Sequence, residues 1–144
     1  MRVDFYVLET ADAEARLHFA CRLAEKVYRL GQRVHLHVGS QAEAARLDEL
    51  LWTFRQGSFV PHELAAEGAT PGSPVTIGHG EGEPPPAGLL VNLGSGEPGF
   101  ATRYARVAEI IDASPGVREQ GRERFRSYRQ QGCEITTHTI GAQG

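Results

Sequence analysis

The sequence predicts a single α/β domain built on a parallel sheet. Short β-branched and aromatic runs alternate with amphipathic runs in the order strand, helix, strand, helix. The helical runs carry start and stop signals at their ends. The 144 residues, 40% hydrophobic and 23% charged, are enough for one well-buried core. The same composition excludes a coiled coil, a disulfide-stapled miniprotein and a wholly disordered chain.

The first strand is Arg2–Leu8, RVDFYVL. Asp12 then caps a helix from about Ala13 to Leu30, with Leu17, Ala20, Cys21, Ala24, Val27 and Tyr28 on one face and Gly31 as its stop. Arg33–Val38 alternates Val34, Leu36 and Val38 against Arg33, His35 and His37, a second strand. Ser40 and Glu43 form a capping box opening a helix through Leu51 or Trp52. Ser58–Val60 and Val75–Ile77 are short strand candidates. Residues 68–99 hold nine of the 17 glycines, so Gly78–Gly88 reads as an exposed insertion, followed by a buried strand at Leu89–Leu93. Tyr104, Val107, Ala108 and Ile111 share a helical face, which predicts a helix over Phe100–Ala113. Ser114 and Pro115 open a last helix that runs to about Gln131 and ends at Gly132. Cys133–Thr139 is a candidate edge strand.

Charge and composition narrow the function. The net charge of −3 argues against a chain that grips nucleic acid all over its surface, though not against a local basic patch. No apolar run of about 18 residues exists and no apolar leader opens the chain, so neither a membrane span nor secretion is expected. Cys21 and Cys133 are too few for a zinc cage and fit a reducing compartment. Of the 15 basic residues only Lys26 is lysine, so basic sites here present planar guanidinium forks.

Gly94–Gly99 is a GxGxxG after a predicted strand and before a predicted helix, the pattern in which glycines admit a pyrophosphate to a helix N-terminus. Glu97 and Pro98 work against it, by charge and by the loss of a donor. His35 and His37 point the same way from one strand, which can start a metal site, but no carboxylate or cysteine is placed to complete it, and satisfied histidines on a polar sheet face are the better reading. No GxSxG elbow and no nucleophile–base pair is legible. The chemistry sits instead in Arg118–Arg129, where five of twelve residues are arginine. Arg118, Arg122, Phe125 and Arg129 fall within ~60° on a helix. They form either a solvated basic face with Phe125 in the core, or a clamp for an acidic ligand with an apolar end. Phosphate backbone with a stacked base is the competing ligand. A second unusual stretch, Leu47–His62, gathers Trp52, Phe54, Phe59 and Pro61. It is either aromatic core or an exposed hot spot for a protein partner.

RLDELLWTF…SFVPHELAAEG (Arg46–Gly68) together with RERFRSYR (Arg122–Arg129) resembles the chi subunit of bacterial DNA polymerase III. DFYVL, GQRVHLHV and SPVTI fit in the same order. The resemblance covers nearly the whole chain and is weakest in Gly78–Gly88 and after Thr139. It implies a Rossmann-like three-layer fold: a mostly parallel sheet with helices on both faces, in one domain over 1–140; the Gly/Pro-rich 78–88 stretch is expected to be a flexible insertion and 141–144 a disordered tail. It implies a non-catalytic, cofactor-free accessory subunit of the polymerase III holoenzyme, cytoplasmic and active in DNA replication and repair. Such a subunit links the clamp loader to single-stranded DNA-binding protein by capturing that protein's acidic, Phe-terminated C-terminal tail. By motif position Arg118, Arg122 and Phe125 match the tail-binding residues, with Ile111 in the same pocket; the family can carry tyrosine where Phe125 stands. Trp52 and Phe59, with Pro61 and His62 beside them, match the surface for the psi subunit or an accessory DNA helicase. Nucleic acid is then contacted mainly indirectly, and no membrane is involved. The rival readings are a nucleotide- or dinucleotide-binding Rossmann enzyme using Gly94–Gly99, and direct single-stranded DNA binding by the arginine face.

Overall fold

A computed structural model describes residues 1–65, 71–80 and 82–141. Its elements are β1 (Arg2–Leu8), α1 (Ala13–Arg29), β2 (Val34–Val38), α2 (Gln41–Thr53), β3 (His62–Leu64), β4 (Val75–His79), β5 (Leu89–Asn92), a 3₁₀ turn (Ala101–Arg103), β6 (Arg106–Ile111), α3 (Pro115–Gln130) and β7 (Glu134–Ile140). The seven strands form one sheet in the order β3-β4-β2-β5-β6-β1-β7, every pair parallel. The fold is a single mixed α/β domain of Rossmann-like type.

Local signals set the helix ends. The Asp12 carboxylate accepts from the Glu14 and Ala15 amides, and the Ser40 hydroxyl accepts from the Glu43 amide. Gly31 and Gly132, each at φ 79°, take the left-handed conformation that ends α1 and α3. Ser114 makes no side-chain cap; its own amide donates to Asp112 Oδ1 at 2.8 Å, and that turn sets the entry to α3.

Two cores flank the sheet. On one face α1 and α2 bury Leu17, Ala20, Cys21, Leu47 and Leu51 against Val34, Leu36, Val91 and Ile110. Burial pushes the Cys21 thiol up to about 12, so it remains a neutral packing group. On the other face α3 and the 94–105 segment bury Tyr128, Phe100 and Tyr104 against Val3, Phe5, Leu90 and Val107.

Two expected elements differ. The helix expected over Phe100–Ala113 is a 3₁₀ turn followed by β6. Val107–Ile111 are all buried because a central parallel strand is packed on both faces, and with apolar residues on both faces the run also satisfies helical spacing. The strand expected at Ser58–Val60 is instead His62–Leu64. Ser58 donates its hydroxyl to buried Glu25 on α1, and Val60 is buried in the same core, so the segment is tied to the helices and not to a strand. The tail expected to be disordered lies outside the described residues from 142 onward, as do Glu81 of the 78–88 insertion and residues 66–68 of the Arg46–Gly68 segment. Within 82–88 the Pro85 carbonyl accepts from the Tyr104 hydroxyl at 3.2 Å, and Glu83 pairs with Arg103.

The paired histidines of β2 turn toward the α3 side, where both rings stand edge-on to Phe100. His35 is 1% exposed and its Nδ1 shares a 2.7 Å hydrogen bond with Thr76 Oγ1. Burial, with His37 nearby, lowers its pKa to about 4. The unfolded chain therefore binds a proton near pH 6.5 that the folded chain refuses until about pH 4. Stability from this group is complete above pH 6.5 and falls as the pH drops toward 4, by up to about 3 kcal/mol. Urea melts at neutral and mildly acidic pH should show that loss in the wild type and a smaller one in His35→Gln.

Candidate functional site

Pro115 at the first turn and Gly132 past the last fix α3, which leaves β6 at Ile111 and crosses back over β1 and β7. The crossing is close. A Cβ at Gly121 would collide with Ile111 Cδ1 and stand 3.2 Å from its Cγ1, so glycine is what lets the helix settle onto Ile111. Beside that contact runs a groove of about 620 Å³, lined from α3 by Arg118, Gly121, Arg122, Phe125 and Arg126. Phe5 and Val7 of β1, exposed Glu9 just beyond it, Ile111 of β6, and Thr137 and Thr139 of β7 complete the lining.

Three of the groove's features bear on chemistry. The Phe125 ring packs on Phe5 at 5.3 Å between centroids and keeps an open side toward the groove. Among the described residues the Nε of Arg118 is buried without a hydrogen-bond partner, a donor whose desolvation an incoming acceptor would compensate. Arg122 is two-thirds exposed, with a 3.5 Å contact to Glu119. The arrangement is an apolar slot rimmed by guanidinium donors, suited to a carboxylate joined to an apolar group.

Arg118, Arg122, Phe125 and Ile111 thus converge on one groove. Two other arginines of the helix stand elsewhere. Arg129 is exposed and does not line the groove; Arg126, four residues after Arg122, takes that place. Arg124 turns inward and is 3% exposed. Its Nε donates to Glu109 Oε1 at 2.9 Å and its Nη1 to the Ser95 carbonyl at 2.8 Å. Glu109, fully buried in β6, also accepts from the Tyr128 hydroxyl and the Asn92 amide. Burial raises its pKa, against the pull of the Arg124 guanidinium and these donors.

The same network occupies the glycine-rich loop. Ser95 and Gly96 carbonyls accept from Arg124 and Asn92, while Glu97 accepts from Ser127 at 2.7 Å and from Gln131. A 3₁₀ turn and then a strand follow Gly99, not the helix whose N-terminus a pyrophosphate requires. Gly94–Gly99 instead straps α3 to the sheet. Among the described residues no three His, Cys, Asp or Glu side chains group as metal ligands, and no helix is long and apolar enough to cross a membrane.

The second candidate surface lies on the opposite face, at the end of α2. Trp52 is 55% exposed and Phe59 80%, and Pro61 is exposed, so the aromatic stretch is chiefly an open patch. Phe54 differs, being partly buried against the core. His62 is covered: its ring nitrogens lie 2.7 and 2.9 Å from the Val60 and Asp48 carbonyls, and Trp52 rests on it at 4.2 Å. It supports the patch from beneath and offers a partner no direct contact.

Known proteins share this arrangement of sequence across almost the full chain. Residues 1–136 match the family described as DNA polymerase III chi subunit, HolC. The DNA polymerase III subunit chi of Pseudomonas aeruginosa is 45% identical over 139 residues, covering 96% of each chain. That of Escherichia coli is 32% identical over 140 residues, 94% of this chain and 95% of the relative. That of Haemophilus influenzae is 30% identical over 138 residues, 95% and 96% respectively. With coverage this complete and identity at these levels, the chain belongs to the DNA polymerase III chi subunit family.

Proposed function

We propose that this chain is a non-catalytic adaptor that joins the polymerase III clamp loader to single-stranded DNA-binding protein. The α3 groove captures that protein's acidic C-terminal tail. Arg118, Arg122 and Arg126 hold carboxylates, while Phe125 and Ile111 receive the terminal phenyl ring. The observation that carries this reading is the buried, unpartnered Arg118 Nε beside an apolar slot. A ligand with a terminal carboxylate satisfies that donor and fills the slot at once. A pull-down with intact single-stranded DNA-binding protein should retain it, and one with the protein lacking its last few residues should not. Equal retention of both overturns the reading.

The Trp52–Phe59 patch is the second docking surface, for the psi subunit or an accessory helicase. Large aromatic side chains left in water at a helix end mark an interface hot spot. Trp52→Ala should abolish docking there while costing the fold at most about 1 kcal/mol, because over half of the side chain is already solvated. Thermal melts and tail-peptide binding should both stay near wild type. A large drop in melting temperature would show Trp52 to be structural.

A further inference from the structure

The face of the sheet opposite the α3 groove is incompletely covered. α1 packs over β2 and β6 and leaves the outer strands β1 and β7 partly open. Across that opening stands a row of rings. Phe19 of α1 meets Tyr6 of β1 at 5.2 Å, and Tyr6 stacks on His138 of β7 at 4.7 Å with only 14° between planes. A 3.0 Å hydrogen bond from His138 Nε2 to Asp4 Oδ1 fixes the imidazole. Among the described residues β7 is the edge strand of the sheet, and the His138 side chain is 38% exposed there, so the imidazole's far side faces the open edge.

Cations flank this row at both ends. Asp4 is buried and charge-paired with Arg2 at 3.5 Å and Arg106 at 3.6 Å, and among the described residues the Arg106 Nε is a buried donor with no partner. At the other end the Arg22 guanidinium lies 5.5 Å over the Phe19 ring. Arg22 begins an exposed stripe with Lys26 and Arg29 at i, i+4 and i+7, successive members about 4.5–6 Å apart along the helix axis. Arg55 extends the stripe through its 2.6 Å bond to Glu25, the buried acid that Arg29 also contacts. Five exposed cations and the half-buried Arg106 therefore stand against two buried carboxylates, in a chain whose net charge is −3. Glu134, at the start of β7, is an exposed acid at the margin of this face.

We propose that this ring ladder and the Arg22–Lys26–Arg29 stripe form a track for single-stranded nucleic acid, separate from the α3 groove. Guanidinium and ammonium groups take the phosphates, and a base continues the Tyr6–His138 stack beyond the edge strand. Stacking on a π-face accepts any base, so the track is sequence-neutral. An acidic peptide fits less well, because the apolar slot such a ligand needs lies on the other side of the sheet.

The test is fluorescence anisotropy of labelled oligothymidylate titrated with the full chain at low salt. Wild type should bind, with a log–log salt slope of about −2 to −3, as for three or four phosphates at about 0.7 each. Arg22→Glu/Lys26→Glu should weaken binding at least tenfold. His138→Ala should weaken it severalfold without altering the salt slope, and His138→Phe, which keeps a stackable ring, should restore it. Arg122→Ala and an excess of acidic, Phe-terminated peptide should leave it unchanged, a result independent of whether the groove captures that peptide. Absence of wild-type binding, wild-type affinity in Arg22→Glu/Lys26→Glu, wild-type affinity in His138→Ala, or displacement by the peptide each overturns the proposal.

Discussion

Arg124→Ala should destabilise the fold by about 3–5 kcal/mol, the usual cost of removing one partner from a buried ion pair. Arg124 is almost wholly enclosed, and so is Glu109, whose carboxylate gathers donors from Arg124, Asn92 and Tyr128. Without the guanidinium, Glu109 must keep an uncompensated charge or bind a proton, and the direction of its pKa shows that burial already favours the proton. The Ser95 carbonyl loses its donor in the same step, so the 94–99 strap over α3 loosens. Urea denaturation measures the loss. Arg124→Met/Glu109→Gln should recover much of it, because both charges leave together and the volume is largely kept. A loss under about 1 kcal/mol in Arg124→Ala would mean that the pair carries little of the fold's stability.

Arg122→Ala should weaken binding of an acidic, Phe-terminated peptide by about 1.5–3 kcal/mol, the range for a charge-assisted hydrogen bond. The fold should be unaffected, since Arg122 is largely solvated and, among the described residues, its one ionic contact is a long pair with Glu119. Arg118→Ala should cost affinity at least as much, because its Nε already lies desolvated at the groove. Affinity should fall with salt in the wild type and less steeply in the variant. Calorimetry with peptides ending in Phe and in Ala separates the roles: losing the terminal ring should lose the apolar contribution of Phe125 and Ile111 and keep the salt dependence. Unchanged affinity in Arg122→Ala would remove the clamp from α3.

The linear order of residues was enough to read the parallel α/β class, the caps at Asp12 and Ser40, the stops at Gly31 and Gly132, and the grouping of Arg118, Arg122 and Phe125. Each of these rests on neighbours within a turn or two, where side-chain spacing alone decides the geometry. Arg126 was also within reach, as the next step of an i, i+4 series from Arg118 and Arg122. The tertiary structure decided the rest. Arg124 looks like its neighbours in sequence, yet it turns inward because Glu109 waits on β6, fifteen residues away. Phe5, Val7, Thr137 and Thr139 join the groove only through the parallel pairing of β1 with β7, across more than 130 residues of chain. β6 could not be told from a helix, because burial on both faces erases the alternation that marks a strand. Whether Trp52 and Phe59 faced core or water was likewise open until the packing of α2 was fixed, since an aromatic residue satisfies either environment and only the surrounding surface determines which it meets.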